Sequence, residues 1–364
     1  KISKKSHVSN FIDELNRKNN LQIDKYEELY KWSISNPKQF WEETWKYSNI
    51  ISSSQYHEIV DDITKMPGAE WFSGAKLNFA ENLLRFRDDR PAIHYKNENS
   101  KIKTITYKSL YSSVEALSFS LRSIGVKKGD RVAGYISNIP EAIIAMLASS
   151  SIGAIWSSTS PDFGVNGVLD RFSQIQPKVL FATSGYSYNG KYYDSLENVH
   201  DITRKIKSLI KVVIINQRKE NVQKIKIQNS IQYENFISKD PEALIFEQLP
   251  FNYPLFILYS SGTTGLPKSI VHSAGGTLIQ HLKELYFHCD LSRNDNIFYF
   301  TTCGWMMWNW LVSSLAVGSA ITLYDGSPFY PQKTTLWEMV DELKISIFGT
   351  SAKFIEACMN SKLK

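Results

Sequence analysis

Cysteine is scarce in this chain, with three residues among 364. Cys289, Cys303 and Cys358 are too few and too scattered for a disulfide framework or a zinc site. A reducing compartment, the cytoplasm, is therefore the simplest location that the sequence predicts. Four of the first five residues are polar, so the N-terminus lacks the apolar stretch of a secretory signal peptide.

Charge of one sign is not concentrated anywhere along the chain. The 42 basic residues exceed the 36 acidic residues by a net charge of +6. Because the lysines are scattered, we expect no nucleic-acid partner, and the mild positive excess suits anionic small molecules. No predicted strand-to-helix turn carries Gly-x-Gly-x-x-Gly, which disfavours a dinucleotide-binding fold. No Ser-His-Asp or Cys-His grouping stands out, so we predict no catalytic nucleophile.

One long stretch, residues 297–324, contains no charged residue and has the length of a membrane span. Polar threonine, serine and asparagine side chains interrupt it, and Gly304 and Gly318 punctuate it. We therefore favour a buried αβ unit with a strand, a helix over 305–316 and a second strand. A membrane span is the alternative, and we predict none.

Strands alternate with helices of ten or more residues from about residue 74 onwards, which predicts an α/β fold with parallel strand connections. Residues 75–84 are predicted to form a helix. Residues 218–240 are polar and lack a sustained apolar pattern, so we predict a surface excursion there. The predicted divisions are an N-terminal helical and aromatic segment (1–73), a first α/β subdomain (74–250) and a second, incomplete α/β subdomain (251–364).

The segment Tyr259–Lys268 reads Tyr-Ser-Ser-Gly-Thr-Thr-Gly-Leu-Pro-Lys. Glycines let backbone N–H groups approach an anion, hydroxyls donate further hydrogen bonds, and the lysine adds positive charge, so the segment suits a polyphosphate. It is not a Walker A loop, because only two residues separate Gly262 from Gly265. Strands are predicted on both sides. The alternative is a Ser/Thr/Gly-rich surface turn.

This loop resembles the phosphate loop of the adenylate-forming superfamily of acyl-CoA synthetases, luciferases and peptide-synthetase adenylation domains. Four further segments, 71–84, 302–310, 324–328 and 348–353, look like the short-acid CoA ligases, and most of all like their acetoacetate-activating branch. The acetate-activating enzymes typically carry an acidic residue where this chain has Thr302. The resemblance runs from about residue 25 to the end of the chain.

The resemblance implies a large N-terminal domain of two stacked α/β subdomains and a small barrel, followed by a mobile C-terminal domain. Because the chain starts without methionine and ends directly after a helix-like run, we expect an N-terminal fragment from which the mobile domain is absent. We also expect this fragment to be inactive alone. The family's adenine and ribose clamps, its Mg²⁺-binding acidic residue and its C-terminal lysine would lie beyond Lys364.

The implied activity is the ATP-dependent activation of acetoacetate as an acyl-adenylate, followed by transfer to coenzyme A. ATP, Mg²⁺ and coenzyme A are thus the implied small molecules, and no metal ligand is expected within this chain. Three alternatives stay open: a ligase for acetate, propionate or another short acid, an enzyme that only adenylates, and a non-catalytic truncated relative. The oligomeric state stays open as well.

Residue roles follow from the same resemblance. It assigns the ATP phosphates to Ser260, Ser261, Gly262, Thr263, Thr264, Gly265 and Lys268. It assigns coenzyme A or acyl contacts to Lys191, Gly304, Trp305, Thr350 and Ser351. For Trp305 the alternative is a core position, which we predict for Trp308 and Trp310. For Lys191 the alternative is an ordinary exposed loop lysine.

Overall fold

The fold is seen in a computed structural model that describes residues 6–218, 225–260, 265–361 and 363. Its α-helices are α1 (His7–Asn19), α2 (Tyr26–Ser35), α3 (Pro37–Tyr47), α4 (Phe79–Leu83), α5 (Tyr107–Ser123), α6 (Pro140–Ser151), α7 (Val165–Ile175), α8 (Leu196–Lys205), α9 (Tyr233–Phe236), α10 (Ala274–Phe287), α11 (Met306–Ser313), α12 (Thr335–Leu343) and α13 (Ala352–Asn360). A 3₁₀ helix, Ser314–Ala316, extends α11.

The strands alternate with these helices through most of the described chain. They are β1 (Glu58–Val60), β2 (Trp71–Ser73), β3 (Lys76–Leu77), β4 (Pro91–Asn97), β5 (Lys103–Thr106), β6 (Arg131–Tyr135), β7 (Ile155–Thr159), β8 (Val179–Thr183), β9 (Gly185–Tyr188), β10 (Lys191–Asp194), β11 (Lys211–Ile215), β12 (Ser230–Gln232), β13 (Leu249–Pro250), β14 (Pro254–Ser260), β15 (Lys268–Ser273), β16 (Asn296–Tyr299), β17 (Ala320–Asp325) and β18 (Ile347–Gly349).

Two large sheets carry the fold, as the predicted α/β alternation requires. The first has seven strands in the order β12-β11-β8-β6-β7-β14-β15, and the second has five in the order β18-β16-β17-β4-β5. Neighbouring strands are parallel, except that β15 and β5 pair antiparallel at one edge of each sheet. Three further two-stranded antiparallel sheets pair β1 with β2, β3 with β13 and β9 with β10.

Helices cover both faces of both sheets. The largest core cluster joins side chains of the two sheets to α5, α6, α10 and α11, which therefore form the shared middle layer. A second cluster packs α7 and α8 on the outer face of the seven-stranded sheet, and a third packs α12 and α13 on the outer face of the five-stranded sheet. Because both of their faces are covered, β7 and β8 are buried along their whole length.

Local signals set several helix starts. Thr106 accepts a hydrogen bond from the Ser109 N–H at 3.1 Å and so caps α5. Pro140 occupies the first turn of α6, where its missing N–H leaves no helical bond unmade. At the N-terminus, Phe11, Leu15 and Leu29 form a separate small core, in line with the helical segment that we predicted for this region.

The sheets exchange strands along the chain. Strands β4 and β5 join the five-stranded sheet with β16–β18, whereas β14 and β15 return to the seven-stranded sheet. Each large sheet thus contains strands from both sides of the boundary that the sequence suggested at residues 250/251. The sequence did not indicate this, because pairing between distant strands leaves no local sequence pattern. As domain limits, 1–73, 74–250 and 251–364 stay predictions.

One predicted element was wrong. Residues 75–84 are not one helix, because β3 pairs with β13 and Asn78 then caps the short α4 by accepting from the Glu81 N–H at 3.2 Å. In the described part of the segment 218–240, β12 adds a parallel edge strand to β11 and α9 follows. The buried αβ unit over 297–324 is confirmed as β16, α11 and β17. No helix in the described part of the chain has the length and apolar character of a bilayer span.

Candidate active site

A cavity of about 480 Å³ opens where the carboxyl ends of strands from both large sheets meet. Its lining comes from the segments that follow β6, β7, β16 and β17 and from the β9–β10 hairpin, and includes Asn138, Ser160, Tyr186, Tyr193, Thr302 and Asp325. The carboxyl ends of parallel strands are where α/β folds bind small molecules, since connecting loops diverge there. This cavity is therefore the centre of the candidate site.

Asn138 joins the two sheets at the floor of the cavity. Its side-chain amide donates to the backbone carbonyls of Thr301 at 3.3 Å, two residues after β16, and of Tyr324 at 3.4 Å, which precedes Asp325 near the end of β17. Its side-chain carbonyl accepts from the indole N–H of Trp308 at 3.0 Å. Asn138, Trp308 and Tyr324 are buried and Thr301 is half-buried, so the shape of the cavity depends on one side chain whose hydrogen bonds are satisfied.

Asp325, at the end of β17, places an acidic group in the cavity wall. Burial raises the pKa of its carboxyl to about 7, and the nearby charge of Glu98 acts in the same direction. Interactions with the Asn138 backbone and the Ser137 side chain oppose this rise. Asp325 therefore changes charge near neutral pH, which is uncommon for an aspartate.

Cys303 lies beside the cavity but is a structural thiol. It is fully buried, and its thiol donates to the Ser137 carbonyl at 3.3 Å. Burial raises the pKa of this thiol well above its ordinary value. The Cys303 carbonyl accepts from the Ser158 hydroxyl at 2.7 Å, which fixes the segment 301–305 against the end of β7. A buried, protonated thiol is not a nucleophile.

The predicted phosphate loop connects two paired strands. Ser260 ends β14, Lys268 begins β15, and the two are register partners in an antiparallel pair. Gly265 has φ +109°, and a Cβ built there would meet no atom within 4 Å, so this glycine faces open space. Lys268 is exposed. Ser261, Gly262, Thr263 and Thr264 lie outside the described residues.

The loop starts at the same sheet edge as the cavity. Strands β7 and β14 are parallel neighbours with Trp156 opposite Phe256. Four residues further along each strand, Ser260 lies level with Ser160, which lines the cavity. Neighbouring strands are about 4.8 Å apart, so the end of β14 at Ser260 lies beside the cavity.

Residues of helix α7 form hydrogen bonds to the two arms of the predicted phosphate loop, which are the chain segments directly before and after it. The Gln174 side-chain amide donates to the Pro267 carbonyl at 2.9 Å and accepts from the Ser269 hydroxyl at 2.9 Å. On the other arm, the Tyr259 hydroxyl donates to the Arg171 carbonyl at 3.1 Å. Hydrogen bonds to α7 therefore fix the chain at Tyr259 on one side of the loop and at Pro267 and Ser269 on the other.

Gly304 and Trp305 follow the strand end that lines the cavity. A Cβ at Gly304 would lie 3.6 Å from the Ser160 backbone nitrogen, so Gly304 packs directly on the cavity wall. Trp305 precedes α11 and is 66% exposed, so it is not a core residue, whereas Trp308 and Trp310 are buried as predicted. An indole this exposed leaves apolar surface that a ligand is able to cover.

Lys191 is exposed and begins β10 in the hairpin that forms one wall of the cavity. It is paired with Tyr188, and the rings of Tyr186 and Tyr193 stack at 5.2 Å on the same hairpin. Lys191 thus lies exposed on an antiparallel hairpin, directly after its Asn189-Gly190 turn, and its role stays a prediction.

Thr350 and Ser351 follow β18. Because Tyr299 and Gly349 are register partners, Thr350 lies level with Phe300, which lines the cavity. The Thr350 hydroxyl is buried and has no hydrogen-bond partner among the described residues. Ser351 has a structural task, since its hydroxyl accepts from the Phe354 N–H at 3.2 Å and caps α13.

Sequence reasoning missed Asn138, Asp325 and Glu98. Asp325 stands in the Tyr-Asp-Gly-Ser-Pro segment used for the resemblance, but nothing in that segment reveals its burial. Asn138 and Glu98 lie in no recognised motif. Within the described ranges, no three His, Cys, Asp or Glu side chains converge into a group able to hold a metal ion.

Two family models match this chain. A family model described as "AMP-binding enzyme" matches residues 79–364, and one described as "Acetyl-coenzyme A synthetase N-terminus" matches residues 26–83. A solved structure, acetoacetyl-CoA synthetase from Streptomyces lividans, matches with a TM-score of 0.94 and 39% identity, covering 99% of this chain and 55% of that one.

Relatives of known name agree with the solved structure. The acetoacetyl-CoA synthetase of Gallus gallus is 50% identical over 355 residues, which are 94% of this chain and 53% of the relative. The acetoacetyl-coenzyme A synthetase of Rhizobium meliloti is 44% identical over 98% of this chain and 55% of its own length. A malonamoyl-CoA synthetase of Penicillium aethiopicum is 40% identical over 94% of this chain and 51% of its own length.

The chain spans about half the length of the relatives it matches. The α/β fold class of an adenylate-forming enzyme and the resemblance to the acetoacetate-activating branch, both predicted from the sequence, are confirmed by these matches. The chain belongs to the AMP-binding enzyme family.

Proposed function

We propose that this chain is part of an ATP-dependent ligase that activates acetoacetate and transfers it to coenzyme A. The observation that carries the proposal is that β14, which leads into the predicted phosphate loop, runs parallel to β7 and ends at Ser260 on the sheet edge where the 480 Å³ cavity opens, because a phosphate-binding loop and an acyl or thiol site must adjoin in such an enzyme. The acetoacetyl-CoA synthetase name of relatives about 50% identical supplies the acid.

The proposed reaction has two steps. The carboxylate of acetoacetate attacks the α-phosphorus of ATP, which forms acetoacetyl-adenylate and releases pyrophosphate. The thiol of coenzyme A then attacks the acyl carbon, which forms the thioester and releases AMP. Neither step needs a covalent bond to the protein, so the chain contributes alignment and charge stabilisation.

On the ATP side, we propose that the loop from Ser260 to Lys268 holds the β- and γ-phosphates. The exposed Lys268 ammonium supplies positive charge at the end of the loop, and Gly265 leaves room for a phosphate to approach the backbone. The proposed roles of Ser261, Gly262, Thr263 and Thr264 rest on the sequence alone.

On the coenzyme A side, we propose contacts with Lys191, Gly304 and Trp305. Lys191 suits a phosphate, and the exposed indole of Trp305 suits the apolar part of the cofactor. For the acyl group we propose Thr350, whose buried hydroxyl has an unused hydrogen bond, with Ser351 beside it. The cytoplasm is our proposed location, on the cysteine argument given above.

Mg²⁺ is the usual companion of ATP in phosphoryl chemistry. The described residues do not fit a metal site, since no acidic, histidine or cysteine group of three converges among them. We therefore assign no step of the reaction to a metal held by these residues.

A second candidate function is the activation of a different short acid. It is favoured by the "Acetyl-coenzyme A synthetase N-terminus" match over residues 26–83 and by the malonamoyl-CoA synthetase relative. The chemistry would be the same, and only the acid would differ.

The test is the exchange of labelled pyrophosphate into ATP, using the protein at the length at which its cell makes it. We expect acetoacetate to support faster exchange than acetate, propionate or butyrate. Lys268→Ala should reduce exchange at least about tenfold, whereas Lys108→Ala, which removes another exposed lysine, should not. Acetate activity equal to acetoacetate activity would favour the second candidate, and no exchange with any acid would end the proposal.

A further inference from the structure

The carboxylate of Glu98 accepts hydrogen bonds from three backbone N–H groups. Glu98 lies in the turn between β4 and β5, at the edge of the five-stranded sheet. Its Oε1 accepts from Asn189 at 2.7 Å and from Ser327 at 2.7 Å, and its Oε2 accepts from Gly190 at 2.8 Å. Charge-assisted bonds of this length are among the stronger hydrogen bonds in proteins.

These three N–H groups belong to two segments whose neighbouring residues, among them Tyr188 and Gly326, line the cavity. Asn189 and Gly190 form the turn of the β9–β10 hairpin, both with positive φ (53° and 75°), as a two-residue Asn-Gly turn requires. Ser327 lies in the loop that begins directly after Asp325, the last residue of β17. One side chain therefore holds together the hairpin and the loop after β17.

The backbone at Gly326 and Gly190 packs closely against neighbouring side chains. A Cβ added to Gly326 would overlap the Glu98 side chain, and a Cβ added to Gly190 would lie 2.7 Å from the Tyr330 ring. Glycine at these two positions lets both backbones approach the carboxylate and its neighbours.

The hairpin depends on such anchors. Strands β9 and β10 form a two-stranded sheet of their own, with four residues each. A two-stranded hairpin is marginally stable in water by itself, so contacts outside the hairpin determine where it lies. Glu98 supplies two such bonds at the turn, immediately before Lys191.

We propose that Glu98 is a positioning residue for the coenzyme A step, because it fixes the hairpin that carries Lys191 against the loop of Asp325. This assignment rests on the proposed function. Glu98 touches neither the phosphate loop nor its two anchored arms through any of these bonds, so it serves thioester formation and leaves adenylation unaffected.

Glu98→Gln tests this in the protein at its natural length. The amide retains the shape but replaces one acceptor oxygen by a donor, so at least one backbone N–H at the junction loses its partner. We expect the KM for coenzyme A to rise about tenfold. Acetoacetate-dependent pyrophosphate exchange, measured without coenzyme A, should stay within about twofold of the wild type.

Glu28→Gln is the matched control. Glu28 also accepts two backbone N–H bonds, from Asp24 at 2.8 Å and Lys25 at 3.1 Å, but it does so at the start of α2. It should leave the KM for coenzyme A unchanged. Faster hydrogen exchange at the Asn189 and Gly190 amides in Glu98→Gln, and not in Glu28→Gln, would support the anchor directly.

Each outcome has a distinct meaning. A wild-type KM for coenzyme A in Glu98→Gln would overturn the positioning role while the proposed function stands. Equal losses of exchange and of thioester formation would also overturn it, because Glu98 would then support the fold in general. A wild-type protein that forms no thioester would overturn the proposed function and the coenzyme A assignment together.

Discussion

The indole N–H of Trp308 donates a 3.0 Å hydrogen bond to the side-chain carbonyl of Asn138 in the buried layer between the two large sheets. The amide of Asn138 then reaches the carbonyls of Thr301, two residues after β16, and of Tyr324, near the end of β17. Asn138, which lies three residues after β6, thus connects the seven-stranded sheet to the five-stranded sheet beside the cavity.

Asn138→Ala should lower the free energy of unfolding by about 2 to 4 kcal/mol, because it leaves the Trp308 N–H and two carbonyls buried without this partner. Urea unfolding followed by tryptophan fluorescence measures the change. Asn294→Ala, which removes an exposed asparagine bonded to Arg90 at 2.7 Å, is the control and should change it by less than about 0.5 kcal/mol. Equal effects of both substitutions would contradict the bridging role.

Asp325→Asn should stabilise the protein at pH 8 and have little effect near pH 4. The pKa of Asp325 is raised from 3.8 to about 7, so the unfolded chain loses its proton first and stability falls as pH rises between these values. The side chain of asparagine does not titrate, so the variant avoids this loss of stability, which amounts to about 2 to 4 kcal/mol above pH 7. Unfolding midpoints between pH 4 and pH 8 measure the difference.

The exposed Asp13 provides the control for that experiment. Asp13→Asn should change the free energy of unfolding by less than about 0.5 kcal/mol at pH 8, where Asp325→Asn should stabilise the protein. A pH-independent effect of Asp325→Asn would show that the Asp325 carboxyl titrates normally.

Trp305→Ala should raise the KM for coenzyme A about tenfold with little loss of stability, because the side chain is 66% exposed in the free protein. Steady-state kinetics with coenzyme A as the varied substrate, together with a thermal unfolding curve, gives both quantities. Tyr30→Ala removes another aromatic ring, 54% exposed, on α2 and should change neither. A large drop in Tm for Trp305→Ala would instead favour a packing role.

Gln174→Ala should raise the KM for ATP severalfold, because it frees the second arm of the predicted phosphate loop from α7. Pyrophosphate exchange at varied ATP concentration is the measurement. Gln280→Ala, whose side chain bonds to Glu284 on its own helix at 2.7 Å, should leave this KM unchanged. An unchanged KM in Gln174→Ala would mean that the loop does not depend on this brace.

Much of the fold follows from local patterns. Helix α12 spans Thr335–Leu343 and Thr106 caps α5, because apolar spacing and cap chemistry act within a few residues. The hairpin β9–β10 was not predicted as strands, since its tyrosines and polar residues alternate too weakly to distinguish a hairpin from a loop.

The sequence by itself determined the α/β class, the phosphate-loop motif and the family, because these depend on residue types at short, fixed spacings. Only the tertiary structure decided the assignment of strands to sheets, the meeting of Asn138 and Asp325 at one cavity, and the contact of Glu98 with two segments that line this cavity. Such features depend on groups far apart in the chain: Glu98 and Ser327 are 229 residues apart yet share a hydrogen bond. Long-range strand pairing brings them together, and no local pattern encodes that pairing.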